Sequence, residues 1–373
     1  MSEAARISGV DPTRAPGYFV NGPVDFMLIG GLSAGLYGLF RLFPAASPTD
    51  RMVAAGVLNV LLNWPHFSAT SLRLYGSRRN IAQYPATATL APLLAAGGVA
   101  GSLLSPLTVA PLFIKVFMLW SFYHFSGQTI GIAMIYARRF GFHFGRWERS
   151  ALYGFVFLTA ISWAAASDGS PGGTHYFGVR LTHFGLPPWA PLVLRLAMVG
   201  FGVLALLLVA QSSVRQRRLP PAMMLLPAVT QFIWFVPGPE VPAFYEFVQA
   251  LHSVQYLLIA WSMHLHETAA GNLIPGWRQV LWQSGRWGAI NLFVGAALFW
   301  FLPRALGRLG ADPVLAIGVV SAGVQVHHFF VDGVIWKLKN RTTSSPLMMS
   351  FRDLVDRPRH AVEPIPLVVG GTP

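Results

Sequence analysis

The chain has no cysteine. That single absence excludes disulfides, thiolate metal sites, iron–sulfur ligation and cysteine nucleophiles, so any metal must be held by His, Asp, Glu or backbone oxygen. Charge is scarce as well. Only 11% of residues are charged, where a soluble domain carries about 25%. That is too little to coat a water-facing surface, so no sizeable soluble domain is expected. Acid is scarcer than base, 14 residues against 27. The basic residues fall in small groups between apolar runs, without an aromatic-interleaved patch. They read as loop charge on a membrane protein and not as a nucleic-acid surface. Residues 1–23 are polar, with Pro12, Pro16 and Pro23, and lack the apolar core of a cleavable signal peptide. Gly-x-Ser-x-Gly, P-loop and His-Glu-x-x-His motifs are missing, as are paired intramembrane carboxylates.

What is present is apolar: 54% of the residues are hydrophobic. A span needs about 20 apolar residues to cross roughly 30 Å of hydrocarbon. Ten such runs read as spans, at 24–43, 52–74, 84–104, 108–137, 150–167, 189–211, 221–237, 243–266, 287–303 and 313–337. Basic residues gather in alternate connections: Arg78 and Arg79; Arg138, Arg139, Arg146 and Arg149; Arg215, Arg217 and Arg218; Arg278 and Arg286; Lys337, Lys339 and Arg341. By the positive-inside rule these connections, and with them both termini, are cytoplasmic. The expected fold is an all-α, polytopic integral membrane helix bundle of about ten transmembrane helices. A polar N-terminal segment at 1–23 precedes a transmembrane domain at 24–338, and a cytoplasmic tail follows at 339–373. No internal repeat is visible. Pro65 and Pro227 do not form the paired broken segments of a repeated transporter.

Eleven histidines are present. His143, His175, His183 and His360 fall in loops or the tail. His264 and His266 sit with Glu267 at a helix end that reads as wet. The other five lie inside apolar runs, where ionisable groups are expensive and usually mark function. They are His66 in Asn63-Trp64-Pro65-His66-Phe67, His124 in Phe122-Tyr123-His124-Phe125-Ser126-Gly127-Gln128, His252 in Gln249-Ala250-Leu251-His252-Ser253-Val254-Gln255-Tyr256, and the pair His327-His328.

Four of the spans carry them, all expected to run toward the cytoplasm. Between 9 and 15 residues separate His66, His124, His252 and His328 from the next cytoplasmic charge, a depth of roughly 13–23 Å. The four imidazoles therefore share one slab near mid-membrane and could converge on a metal, with His327 as an alternate ligand. Residue i+4 from each is polar: Thr70, Gln128, Tyr256 and Asp332. Such residues share the face of the histidine. They are candidates to hold its second ring nitrogen, as metal-bound imidazoles require. Asp332 suits His328 best, and Gln249 and Gln255 are further candidates for His252. Interhelical hydrogen bonding is the plainer use of intramembrane His and Gln.

Imidazole with occasional carboxylate suits iron, copper or zinc, and open positions suit non-haem Fe(II) and oxygen chemistry. Haem or a chlorophyll-type pigment between facing imidazoles is the alternative. Small residues at Ser126, Gly127 and Gly131 would leave room for a macrocycle. The His-x-x-His-His boxes of membrane desaturases are absent.

The motifs Pro65-His66, His124-Phe125-Ser126-Gly127-Gln128, His252-Ser253 and His328 through Asp332, in this order, resemble the four intramembrane His motifs of the bacterial Brp/Blh carotene dioxygenases. The resemblance covers four short pieces of the chain. It implies cleavage of a carotenoid at a His-bound iron. Tyr256 stands where that family's His-Ser-x-x-His box has its second His. The expected function is a membrane-embedded, His-ligated non-haem iron oxygenase in a bacterial inner membrane, acting on an apolar lipid or isoprenoid/carotenoid. Trp64, Tyr123, Phe125, Phe329 and Phe330 are candidate substrate-tunnel residues. Two other classes stay open. One is a non-catalytic haem- or pigment-binding subunit of a larger membrane complex, with membrane protein partners. The other is a transporter.

Overall fold

Caps and prolines set where the helices begin. Asn21 accepts the amide of Val24 at 2.9 Å and Pro23 sits in the first turn. That opens α1, Gly22–Leu42. Ser47 caps the next helix through the amide of Asp50, with Pro48 behind it. Asp312 caps the last through the amide of Leu315 at 2.8 Å, with Pro313 behind it. Proline is harmless in a first turn, where its missing N–H would have no partner. The computed structural model describes residues 17–44, 47–168, 175–271, 276–336, 346–351 and 354. The expected polar segment at 1–23 lies largely outside the described residues, as do most of the expected tail at 339–373 and His360.

The second helix, α2, is continuous from Pro48–Leu58 through a π turn, Asn59–Asn63, into Trp64–Tyr75. The rest follow as α3 (Arg78–Gln83), α4 (Pro85–Leu104), α5 (Val109–Arg139), α6 (Arg146–Asp168), α7 (Ala190–Gln216), α8 (Ala222–Phe235), α9 (Val248–Gly271), α10 (Trp277–Arg308) and α11 (Pro313–Ile335). Among the described residues the only strands are β1 (His175–Tyr176) and β2 (Val179–Arg180), an antiparallel pair with His175 opposite Arg180. Its turn residues, Phe177 and Gly178, both have positive φ, the backbone of a tight hairpin.

The architecture is an all-α helical bundle, as expected. Among the described residues, eight helices are long and apolar enough to cross a membrane: α1, α4, α5, α6, α7, α8 with its extension to Glu240, α10 and α11. The other two long helices, α2 and α9, fall short in hydropathy because they carry polar groups inward. His66, Ser68 and Thr70 on α2, and His252, Ser253 and Gln255 on α9, are all buried. These two helices are the polar heart of the bundle, and the apolar ones surround it. The expected run at 287–303 is part of a longer helix, because the amphipathic stretch from Trp277 continues into it without a break.

The parallel course of α5 and α11 matters for the site. Ala110, Ile114 and Phe117 near the start of α5 pack with Val319, Ala322, Val326 and Phe329 of α11, so the two helices begin at the same end. The opposite end is pinned by polar groups. Arg139, fully buried, donates to the carbonyls of Gly17, Tyr18, Leu347 and Met349 at 2.5–3.0 Å. Asp25 accepts from the amides of Phe19 and Val20 and from the Tyr136 hydroxyl at 2.6–3.0 Å. Each charge is saturated, as a buried ion must be.

Candidate metal centre

A π turn ends at Asn63, and Pro65 follows at once. Proline inside a helix lacks its N–H and clashes with the carbonyl four residues back. The wider π turn absorbs that misfit, and such turns recur at functional sites. The same pairing occurs in α10, where the π turn Ala297–Phe301 precedes Pro303. Here the turn aims His66 inward. Asn63 then locks α2 to α9: its Nδ2 donates to Gln249 Oε1 at 3.2 Å, and Ser253 Oγ donates to its Oδ1 at 2.8 Å. On the far side Gly295 of α10 meets the backbone of Trp64. A Cβ there would stand 2.7–2.8 Å from Trp64 atoms, so only glycine permits this approach.

The four histidines of α2, α5, α9 and α11 come together. His66 Nε2 lies 2.9 Å from His328 Nε2, His328 Nε2 lies 3.2 Å from His124 Nε2, and His124 Nε2 lies 3.3 Å from His252 Nε2. His66, His124 and His328 offer ligand atoms that all lie within 4.8 Å of one another, a trio able to hold a metal ion. Metal–imidazole bonds of about 2.0–2.1 Å place neighbouring nitrogens about 2.9 Å apart at right angles and about 3.4 Å apart at tetrahedral angles. The three observed spacings fall in that interval. His66, His252 and His328 are buried, and only His124 is partly exposed.

An aromatic ring backs each imidazole. Tyr256 lies 4.2 Å from His66, Phe329 4.7 Å from His124, Phe125 4.2 Å from His252 and Phe67 4.8 Å from His328, centroid to centroid. Of the expected tunnel residues, Phe125 and Phe329 thus touch the centre. Trp64 instead stacks on Phe299, Phe330 meets Trp120, and Tyr123 is exposed.

Asp332 approaches His328 at Nε2, with Oδ2 3.3 Å away. That is the nitrogen turned toward the other imidazoles, not the second ring nitrogen that sequence spacing suggested. The other oxygen, Oδ1, is anchored by Thr70 Oγ1 at 3.0 Å and Trp336 Nε1 at 3.1 Å, with Tyr256 OH at 3.4 Å. Thr70 and Tyr256 close the network at 2.5 Å. Trp336 escaped sequence reasoning, although it lies four residues beyond Asp332 and the same helical spacing would have found it.

The expected support for the second nitrogens needs correction throughout. The Nδ1 atoms of His66, His252 and His328 are buried with no hydrogen-bond partner. Thr70 is too short to reach the His66 ring and bonds its backbone carbonyl and Asp332. Gln128 crosses to the carbonyl of His252 at 3.0 Å, and Gln255 crosses to the carbonyl of Ile29 at 2.5 Å. Gln249 serves Asn63. Long amide side chains reach the neighbouring helix and pass the ring on their own. His327, the alternate ligand, turns away from the centre, because adjacent helical residues point about 100° apart. It bonds Tyr75 OH at 2.9 Å and stacks on that ring. His266 is not at a wet helix end either. It is buried, between the carbonyls of Ser262 and Ser350.

No protein-family model, no curated protein and no solved structure matches this chain.

Proposed function

We propose that this protein is a membrane-embedded, metal-dependent oxygenase, with non-haem iron held by His66, His124, His252 and His328, acting on an apolar lipid or isoprenoid. The observation that carries the reading is the chain of Nε2–Nε2 spacings, 2.9, 3.2 and 3.3 Å, among four imidazoles from four helices. Four uncoordinated imidazoles gain little from such an arrangement. Each Nε2 has only one proton or one lone pair to share among its neighbours, and three of the rings leave Nδ1 unpaired.

The donor set fits iron: imidazoles with one carboxylate nearby and no thiolate. Neutral imidazoles leave a divalent cation's charge uncompensated in a low-dielectric interior, and Asp332 supplies a negative charge beside the His328 nitrogen. Iron bound here would supply O₂ activation. The chain's own contribution is to hold the nitrogens at fixed spacing, to wall the centre with Phe67, Phe125, Tyr256 and Phe329, and to keep water out. Cleavage of one carbon–carbon double bond by one O₂ gives two carbonyl groups. Both oxygen atoms stay in the products and no outside reductant is consumed. The order of the four His motifs supports a carotenoid or related isoprenoid as substrate. We read the bundle as ten spans, with α2 and α9 as the two polar ones, both termini in the cytoplasm and a bacterial inner membrane as the site.

A haem or chlorin between these rings fits the geometry less well. Imidazole centroids lie 4.5–5.3 Å apart in four of the pairs, which leaves no slot for a macrocycle. The test is metal content and visible spectrum, on detergent-purified wild type and on His124→Ala and His328→Ala. Iron in the wild type, no Soret band, and loss of iron in both variants is the expected result. A Soret or chlorin band lost in the variants would replace the oxygenase with a pigment-binding subunit. A folded wild type with neither metal nor chromophore would sink both.

A further inference from the structure

Far from the histidines, α5 and α7 end where α1 and α8 begin, and the four ends leave a cavity of about 360 Å³ between them. Tyr18, Phe26, Phe140 and Ala222 are in its wall, and Arg218 is the one charged residue that lines it. Two left-handed backbone positions put that arginine there. Arg217, at the end of α7, has φ 52° and ψ 39°, a conformation that costs any residue with a Cβ. It turns the chain back, so that Arg218 reaches across the end of α5. Gly141 lies there with φ 68°, and a Cβ on it would stand 3.4 Å from Arg218 Nη1. The guanidinium is thus held over the turn at 140–142, whose Phe140 and Phe142 both face the cavity. The opposite wall is also fixed. Tyr18 meets Phe140 edge to face at 5.1 Å, its ring lies 3.2 Å from where a Cβ on Gly22 would stand, and its carbonyl is held by Arg139 at 2.6 Å.

Arg218 has no anion of its own. Among the described residues it makes no ion pair. The acids packed at this end are taken: Asp25 by two amides and the Tyr136 hydroxyl, and Glu148 by Ser212 and Arg215. Arg138 and Arg217 are exposed nearby in sequence, so the positive charge at these helix ends is not offset within the protein. A guanidinium suits phosphate, which its planar fork grips through two N–H groups. The rim, in contrast, is apolar. Leu219 is 89% exposed and Phe26 48%, and Met27 beside Phe26 is exposed as well. A phosphate carried on an apolar chain matches both the arginine and the rim, whereas a soluble anion matches only the arginine.

We propose that this cavity binds the headgroup of an anionic membrane phospholipid, with its phosphate on Arg218 and its acyl chains leaving past Phe26 along α1. The lipid bridges four helix ends whose own side chains leave a gap. The site stands apart from the His centre and does not rest on the oxygenase reading.

The test titrates the full-length protein, in detergent and stripped of lipid, with phosphatidylglycerol or with phosphatidylcholine of the same chains, and counts bound lipid by native mass spectrometry. One phosphatidylglycerol should be retained, and phosphatidylcholine should be held more weakly because its ammonium group offsets the phosphate. Arg218→Gln keeps the reach of the side chain and removes its charge. It should lower phosphatidylglycerol retention roughly tenfold, the loss of one charged hydrogen-bonding partner. Ala222→Phe fills the cavity with the charge intact and should do the same. Should that variant fail to fold, Arg218→Gln decides alone, since its side chain is exposed. Arg278→Gln, an exposed arginine outside the cavity, should change nothing. Equal losses in Arg218→Gln and Arg278→Gln would reveal a general attraction of basic residues for anionic lipid and overturn the site. Unchanged retention in Arg218→Gln would overturn it as well. Displacement of the lipid by inorganic phosphate would overturn the lipid and give the cavity to a soluble phosphate compound.

Discussion

Two buried polar clusters lie within two turns of each other on α5, and they are built differently. One centres on Gln231 of α8. Its Oε1 accepts from Thr129 at 2.6 Å, and its Nε2 reaches Val156 O at 2.7 Å and Ser126 Oγ at 3.1 Å. None of these side chains has a buried polar atom left without a partner. The other cluster centres on His124. There ring nitrogens face ring nitrogens at 2.9–3.3 Å, three Nδ1 atoms are orphaned, and a carboxylate stands at the rim. A saturated network needs nothing more and serves as helix-to-helix glue. A network of like groups with too few protons and lone pairs to satisfy one another is the pattern that the proposed metal centre needs. Both clusters are polar, buried and interhelical, so polarity alone does not separate glue from site. Saturation does.

The sharpest way to break this contrast is to delete one member of each cluster. His66→Ala removes the closest nitrogen neighbour of His328. Bound metal should fall to background, and chelator should lower the Tm of wild type but not of the variant. A ligand at 100 times its Kd stabilises by about 2.7 kcal/mol, so the wild-type shift is readable by thermal unfolding in detergent. Metal retained at wild-type stoichiometry in His66→Ala would mean that the imidazoles are glue after all.

Asp332→Asn should have a smaller effect of the same kind. It keeps the shape and the anchoring by Thr70 and Trp336 but removes the negative charge beside His328. Loss of a polar partner at the edge of a metal centre typically weakens binding roughly 10–100-fold. Competition with a chromogenic chelator reads that range directly. An unchanged affinity would place Asp332 outside the centre.

Gln231→Leu probes the opposite side of the comparison. It strands Thr129 Oγ1, which costs desolvation energy when left unpaired, while the Val156 carbonyl keeps its bond from Thr159 Oγ1 at 2.6 Å. Destabilisation of about 1–3 kcal/mol is expected, with metal content unchanged. A variant that keeps its stability but loses metal would invert the assignment of the two clusters.

The bundle and the level of the histidines were legible in the chain, because apolar run length and distance to the next charged residue both read out on a helix axis. The direction of each side chain was less so. The i+4 rule placed Asp332 beside His328 correctly but on the wrong nitrogen. It failed for Gln128, whose amide crosses to the carbonyl of His252, and Gln255, a further candidate for His252, crosses to the carbonyl of Ile29. Which helix faces which cannot be read from one-dimensional spacing, so Phe67 against His328 was out of reach, while Trp336 beside Asp332 was within reach of the same i+4 rule. The hydropathy deficit of α2 and α9 was a usable clue. Polar residues that lower the apolar score of a span are the residues a site needs.

His327 offers the mildest and most discriminating comparison, because it neighbours His328 in sequence and shares its chemistry. About 100° of helical rotation separates the two in space. His328 faces the imidazoles of His66 and His124, while His327 faces Tyr75 on the outer side of α11, at 2.9 Å. Its ring is half-buried, and its loss removes one hydrogen bond and one stacked contact. His327→Ala should therefore leave metal stoichiometry and affinity at wild-type values and lower stability by about 0.5–1.5 kcal/mol, the net value of a single hydrogen bond. Tyr75→Phe should reproduce the shift, since it removes the same bond from the other end, and the double variant should add little to either. If His327→Ala instead released the metal, the helix would have to rotate to bring that ring inward, and the four-histidine centre would have to be redrawn around the pair.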